Sequence, residues 1–224
     1  MASNTVAWRE RVSPNGETAL AAFIVVNLEL AILWTWLLIT NWQFDSLLGM
    51  RQVVYPFVWI NVGLWALWRT TPAPTTRWRR LLAGALAAVY FFVLAYAGGL
   101  VGPATQFSVG PTVSFGPPPG FSPALLYDGD LLKLTLLPYK FVGYLALAYL
   151  VYATIIDAAG SAISGVLGLL SCVSCTWPVA ASLLSGVLGG GAALTSAAFG
   201  YSYDLGVVVF VVTVGLLYWR PTVR

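Results

Sequence analysis

Apolar residues come along this chain in long runs separated by short clusters of charge, Gly and Pro. A bilayer core of about 30 Å takes roughly 20 helical residues. Seven runs approach that length, at about 18–40, 53–68, 81–101, 134–156, 163–176, 179–199 and 205–219. The second, fifth and seventh are short, which allows tilt, local thinning or a re-entrant path. The pattern predicts an all-α integral membrane protein: a bundle of about seven transmembrane helices, or six plus a re-entrant segment. Residues 1–224 read as a single transmembrane domain, with three spans in 17–101, an outer loop at 102–130 and the remaining spans in 131–224. The first run exceeds the roughly 7–15-residue core of a signal peptide and no small-x-small cleavage site follows it, so it reads as a retained span.

Composition agrees. Hydrophobic residues make up 59% and charged residues 8%, against about 25% charged in soluble domains, and the mean hydropathy is +0.82. The few charges then orient the spans, because Lys and Arg in short loops stay on the cytoplasmic side. Arg69, Arg77, Arg79 and Arg80 cluster in "RTTPAPTTRWRR", which places that loop inside, and with it the N-terminus bearing Arg9 and Arg11. The expected location is the cell (plasma) membrane, multi-pass, with a cytoplasmic N-terminus and lipid as the first partner. Seven spans would put Arg220 and Arg224 outside, against the rule; six with a re-entrant segment would not. The outer loop has six prolines and no basic residue, so it should be extended or turned with little helix, either as a cap on the bundle or as a docking surface. Trp42, Tyr55, Trp68, Trp78, Tyr127, Tyr139, Tyr218 and Trp219 fall at segment ends as interfacial belts.

The chain has no histidine. Bis-His haem, haem–copper centres, imidazole zinc sites and Ser-His-Asp or Cys-His catalysis are thereby excluded as self-contained sites. A net charge of +3 confined to segment ends does not suggest nucleic acid.

Glu29 lies near the middle of the first span, where a charge costs about 3 kcal/mol or more. It reads either as a structural polar contact or as part of a proton or ion path, with Asn27 and Asn61 as possible partners or simple interhelix glue. Lys133, Lys140 and Tyr144 are spaced by seven and four, one face of a helix starting at the outer surface. Snorkelling explains them; a quinone, lipid headgroup or partner carboxylate is the alternative. Asp128 and Asp130 read as caps of that helix, and Pro138 as a kink or a first-turn proline.

Beyond residue 160 small residues recur every four positions: Ser161 and Gly165; Ser164, Gly168 and Cys172; Ser182, Gly186 and Gly190. Such faces let helix backbones approach closely in lipid, within one hairpin or against another subunit. Gly189, Gly190 and Gly191 could instead break a helix at depth. Cys172 and Cys175, in "SCVSCTWP", are the only cysteines. Their spacing permits a disulfide, thiol exchange or Cu(I) ligation, but equally two small residues at a helix junction, with Pro178 opening the next helix.

The stretch from "LTLLPYKF" through "SCVSCTWP" to "GLLYWRP" resembles a family of multi-span membrane proteins from halophilic archaea, matched on Cys172, Cys175 and Pro178. Some members resemble accessory subunits of haem–copper terminal oxidases. The resemblance implies a respiratory-chain companion. No cofactor of its own is expected, copper at the cysteine pair being the alternative and haem residing only in a partner. Three readings follow. The first is a non-catalytic accessory or assembly subunit of such a complex. The second is a thiol-disulfide or copper-handling protein acting through Cys172 and Cys175. The third is a small transporter using Glu29.

Overall fold

The computed structural model describes residues 16–40, 47–104, 109–158 and 206–218. Residues 1–45 and 46–224 form two compact units. The first contains helix α1 (Gly16–Thr40), 25 residues rich in Ala and Leu with Glu17 in its first turn, apolar on every side. Its polar side chains turn back on its own backbone. Asn27 Nδ2 donates to the Phe23 carbonyl at 2.8 Å, and the Thr35 and Thr40 hydroxyls donate to the carbonyls of Ala31 and Trp36, both at 2.8 Å. Where water is scarce, this is the least costly way to satisfy a polar group.

The second unit holds α2 (Leu47–Arg69), α3 (Arg77–Ala97), β1 (Val101–Pro103), β2 (Val109–Ser114), β3 (Ala124–Asp128), β4 (Leu132–Leu136), α4 (Pro138–Ala158) and α5 (Gly206–Tyr218). Helix α4 is central and packs on both α2 and α3. Small residues set the α2–α4 distance: a Cβ on Gly63 would press on Val142, and Ala66 and Ala146 are fully buried. The core joins Leu94, Ala95 and Leu100 to Leu147, Leu150 and Val151 of α4 and Phe210, Val214 and Leu217 of α5. Three helices, α1, α3 and α4, are long and apolar enough to cross a membrane. Helix α2 reaches six residues further toward the N-terminus than the run that predicted it, carries Pro56, and is not among those three, while α5 is a shorter apolar helix. The fifth and sixth predicted spans lie outside the described residues.

The expectation of an all-α protein is corrected by a four-stranded antiparallel sheet of order β1-β4-β3-β2 between α3 and α4. Pro and Gly keep this segment from continuing either helix, and "LKLTL" of β4 alternates with the period of two that a strand requires. The expected outer loop at 102–130 thus becomes structure spanning 101–136, and α4 starts at Pro138 instead of at 134. Lys133 accordingly sits on β4, opposite Asp128 of β3 and Gly102 of β1, so the proposed stripe of Lys133, Lys140 and Tyr144 is not one helical face. Asp128 and Asp130 are not helix caps: Asp128 ends β3 and Asp130 lies in the turn before β4.

Candidate functional site

The candidate residues that the second unit brings together lie where the sheet meets the helices. Helix α3 ends in a Schellman motif: Gly99 N donates to Tyr96 O at 3.1 Å and Leu100 N to Ala95 O at 2.8 Å, with Gly99 at φ +74°. Leu100 is then buried against Leu94 and Ala95, the apolar contact this motif favours. The Gly98 carbonyl is taken by Lys140 Nζ at 2.8 Å. An ammonium at the negative end of a helix dipole gains twice, as a charge and as a donor. The lysine that read as a snorkelling side chain is a tie between α4 and the end of α3. Next to it the Tyr144 hydroxyl occupies the space a Cβ on Gly98 would need.

The loop between β2 and β3 closes the same end. Pro118 and Pro119 are buried, and Gly120, at φ +91°, lies so close to Pro56 of α2 that a Cβ would meet the proline ring. Gly120 O accepts the Tyr139 amide at 3.0 Å. Pro138, the first-turn proline, has no amide to satisfy, so this one bond caps the next amide of α4 from across the loop. Tyr139 is buried, not an interfacial anchor; its ring meets Phe121 at 4.7 Å and Trp59 at 5.8 Å. Trp59 also meets Tyr144 at 5.8 Å and stacks on Phe210 of α5 at 4.1 Å and 6°. Trp59 was not legible as a key residue, because nothing in its spacing separates it from the other aromatic residues of α2. Gly143, where a Cβ would strike the Trp59 ring, is the matching signal on α4.

At the opposite end of α4, Tyr149 OH donates to Thr70 O at 3.0 Å, and Asp157 Oδ1 accepts the Ala73 amide at 3.0 Å. These two bonds hold the loop between α2 and α3 against α4. Asn61 lies on α2 and donates through Nδ2 to the Phe57 carbonyl at 2.9 Å. Glu29 and Asn27 lie on α1, where Glu29 is half-buried and has an interaction partner. Cys172, Cys175, Gly165, Gly168, Gly186, Gly189 and Gly190 lie outside the described residues. Among the described residues no three His, Cys, Asp or Glu side chains group as they would to hold a metal ion.

Membrane-length apolar helices with a small antiparallel sheet inserted between two of them define the class: a mainly helical protein with three helices long and apolar enough to cross a membrane and a small β-sheet. The chain belongs to DUF7546, a family of unknown function whose model matches residues 1–224. Comparison with curated proteins and with solved structures found no match.

Proposed function

We propose that the protein is a multi-pass subunit of the cell membrane with a cytoplasmic N-terminus, acting as a non-catalytic accessory or assembly component of a respiratory terminal oxidase complex. The observation that carries the non-catalytic part is how its polar side chains are used. Lys140 is bound to the Gly98 carbonyl, and Asn27, Asn61, Thr35 and Thr154 are bound to carbonyls four residues back in their own helices. Groups engaged with backbone in this way support architecture and are poorly disposed for proton transfer or ligand exchange. The oxidase partner rests on the resemblance of the stretch at 134–221 alone. Helix α1, apolar on every side, and the exposed outer residues of α3, such as Leu86, Val89 and Phe92, supply surface for lipid or for a larger subunit.

The test is to purify the tagged protein from its native membranes in mild detergent and record the visible spectrum of what accompanies it. Haem bands with near-stoichiometric larger subunits are the expected result. A colourless, solitary protein overturns the stable-subunit reading. The Cys-x-x-Cys spacing then makes thiol-disulfide or copper chemistry at Cys172 and Cys175 the reading to pursue, with loss of function in either Cys→Ser variant as its signature. A transporter would instead lose flux, with assembly intact, in Glu29→Gln.

A further inference from the structure

We infer that the start of α3 is a binding site for the phosphate groups of anionic phospholipids, formed by Arg77, Arg79 and Arg80 together with Trp78 and completed by Arg69 and Trp68 across the loop. This rests on α3 crossing a bilayer and not on the identity of any partner complex.

All four arginines are exposed, and so is every other residue from 76 to 82, so none of the described residues covers the first turns of α3. Helix α3 has no acidic residue in its first turn, and among the described residues no ion pair engages any of the four arginines. Asp157 Oδ1 accepts the Ala73 amide in the loop before α3. Three arginines thus stand at the positive end of a helix dipole with no described carboxylate paired to them, an arrangement that repels itself until an anion is supplied. The backbone adds to this. Thr76, the N-cap, makes no side-chain capping bond, and the first helical bond is from Arg80 N to Thr76 O. The amides of Arg77, Trp78 and Arg79 therefore have no acceptor within the helix and point where an anion would sit.

The geometry favours a lipid phosphate over other anions. The apolar part of α3, residues 81–97, is about 26 Å long, within a few Å of the hydrocarbon thickness of a bilayer. Its apolar run begins at Leu81, directly after the arginines, so their guanidinium groups fall at the depth of the phosphates. Trp78 and Trp68, 69% and 70% exposed, flank the patch as indole rings do at headgroup level. Pro72 and Pro74, with the two bonds to Tyr149 and Asp157, hold the loop between the two tryptophans in a fixed form. The planar guanidinium matches phosphate oxygens in pairs, which lysine cannot do.

The test uses the full chain, purified in a non-ionic detergent and mixed with dioleoylphosphatidylglycerol, dioleoylphosphatidylcholine or inorganic phosphate, with bound lipid counted by native mass spectrometry. The phosphatidylglycerol should be retained in clear preference to the phosphatidylcholine and lost as salt rises. Arg79→Gln and Arg80→Gln should each lower that preference by about fivefold, while Lys133→Gln at the sheet end leaves it unchanged. Each single variant keeps three arginines at the loop. Arg79→Lys, which keeps the charge, should retain more of the preference than Arg79→Gln. Equal retention of the two lipids, or full retention in both glutamine variants, overturns the site and leaves an acidic protein surface as the counterpart of the patch. Displacement by inorganic phosphate at comparable concentration overturns the lipid as its occupant. Equal losses in Arg79→Lys and Arg79→Gln overturn a site carried by charge.

Discussion

The ammonium of Lys140 lies 2.8 Å from the carbonyl of Gly98, so the first turn of one membrane-length helix is bonded to the final turn of another. The sheet begins at Val101 and ends at Leu136, inside the chain segment these two residues bracket. The bond therefore closes the base on which the sheet stands. Lys140→Met removes the donor and leaves the Gly98 carbonyl without it. Charge-assisted bonds of this kind contribute about 2 kcal/mol. The expected outcome is a thermal midpoint in detergent lowered by several degrees, with the sheet end loosening first. Hydrogen exchange of the amides of β1 and β4, compared with those in the middle of α4, checks it; uniform protection across both would refute the placement.

Gly98 has an ordinary helical φ of −81°, so its requirement for glycine is steric and comes from the Tyr144 side chain. Gly98→Ala should destabilise by about 1–3 kcal/mol, as overpacking in a filled core does. Combining it with Tyr144→Leu should recover part of the loss, because the pair shares one space. A double-mutant cycle in thermal unfolding measures this, and strictly additive losses would mean that the clash is relieved elsewhere.

Trp59 joins three elements at once through Tyr139, Tyr144 and Phe210. Replacing it by Ala opens a cavity at the meeting point of α2, α4 and α5 and should cost about 3–5 kcal/mol. Trp59→Phe keeps a stacking ring and should cost less than half of that. Near-ultraviolet circular dichroism during thermal unfolding separates the two variants; equal midpoints would show that a phenyl ring recovers neither the stack nor the volume of the indole.

Asp157 holds the loop before α3 by accepting the Ala73 amide. Asp157→Ala releases about 1 kcal/mol of local stability, a roughly fivefold rise in the open population. Trypsin cleavage at Arg69 or Arg77 should accelerate by that factor while the global midpoint moves little. Tyr149→Phe should do the same, since its hydroxyl holds Thr70. Unchanged cleavage in both variants would mean that the two prolines alone fix the loop.

Apolar run length located α1, α3 and α5 to within a few residues, because a helix that avoids water must satisfy its own backbone and shows this as unbroken hydrophobicity. The same signal under-read α2, whose Arg51, Gln52 and Pro56 interrupt the run although the helix continues through them. It also ran α4 too far forward. The leucines at 132, 134 and 136 extend an apolar tally without being helical, and only pairing with β1 and β3 makes them a strand.

Sequence by itself determined the membrane-length helices, the first-turn proline of α4, the absence of imidazole chemistry and the arginine cluster before Leu81, because each depends on local composition or on spacing along one element. Tertiary structure alone decided that Lys140 is spent on Gly98, that Tyr139 is buried and that Trp59 lies at the centre. It also decided that a Pro- and Gly-rich segment forms a sheet whose β2–β3 loop lies against Pro56. Lys140 and Gly98 are 42 positions apart, and Asp157 and Ala73 are 84 apart, distances over which no local periodicity carries information.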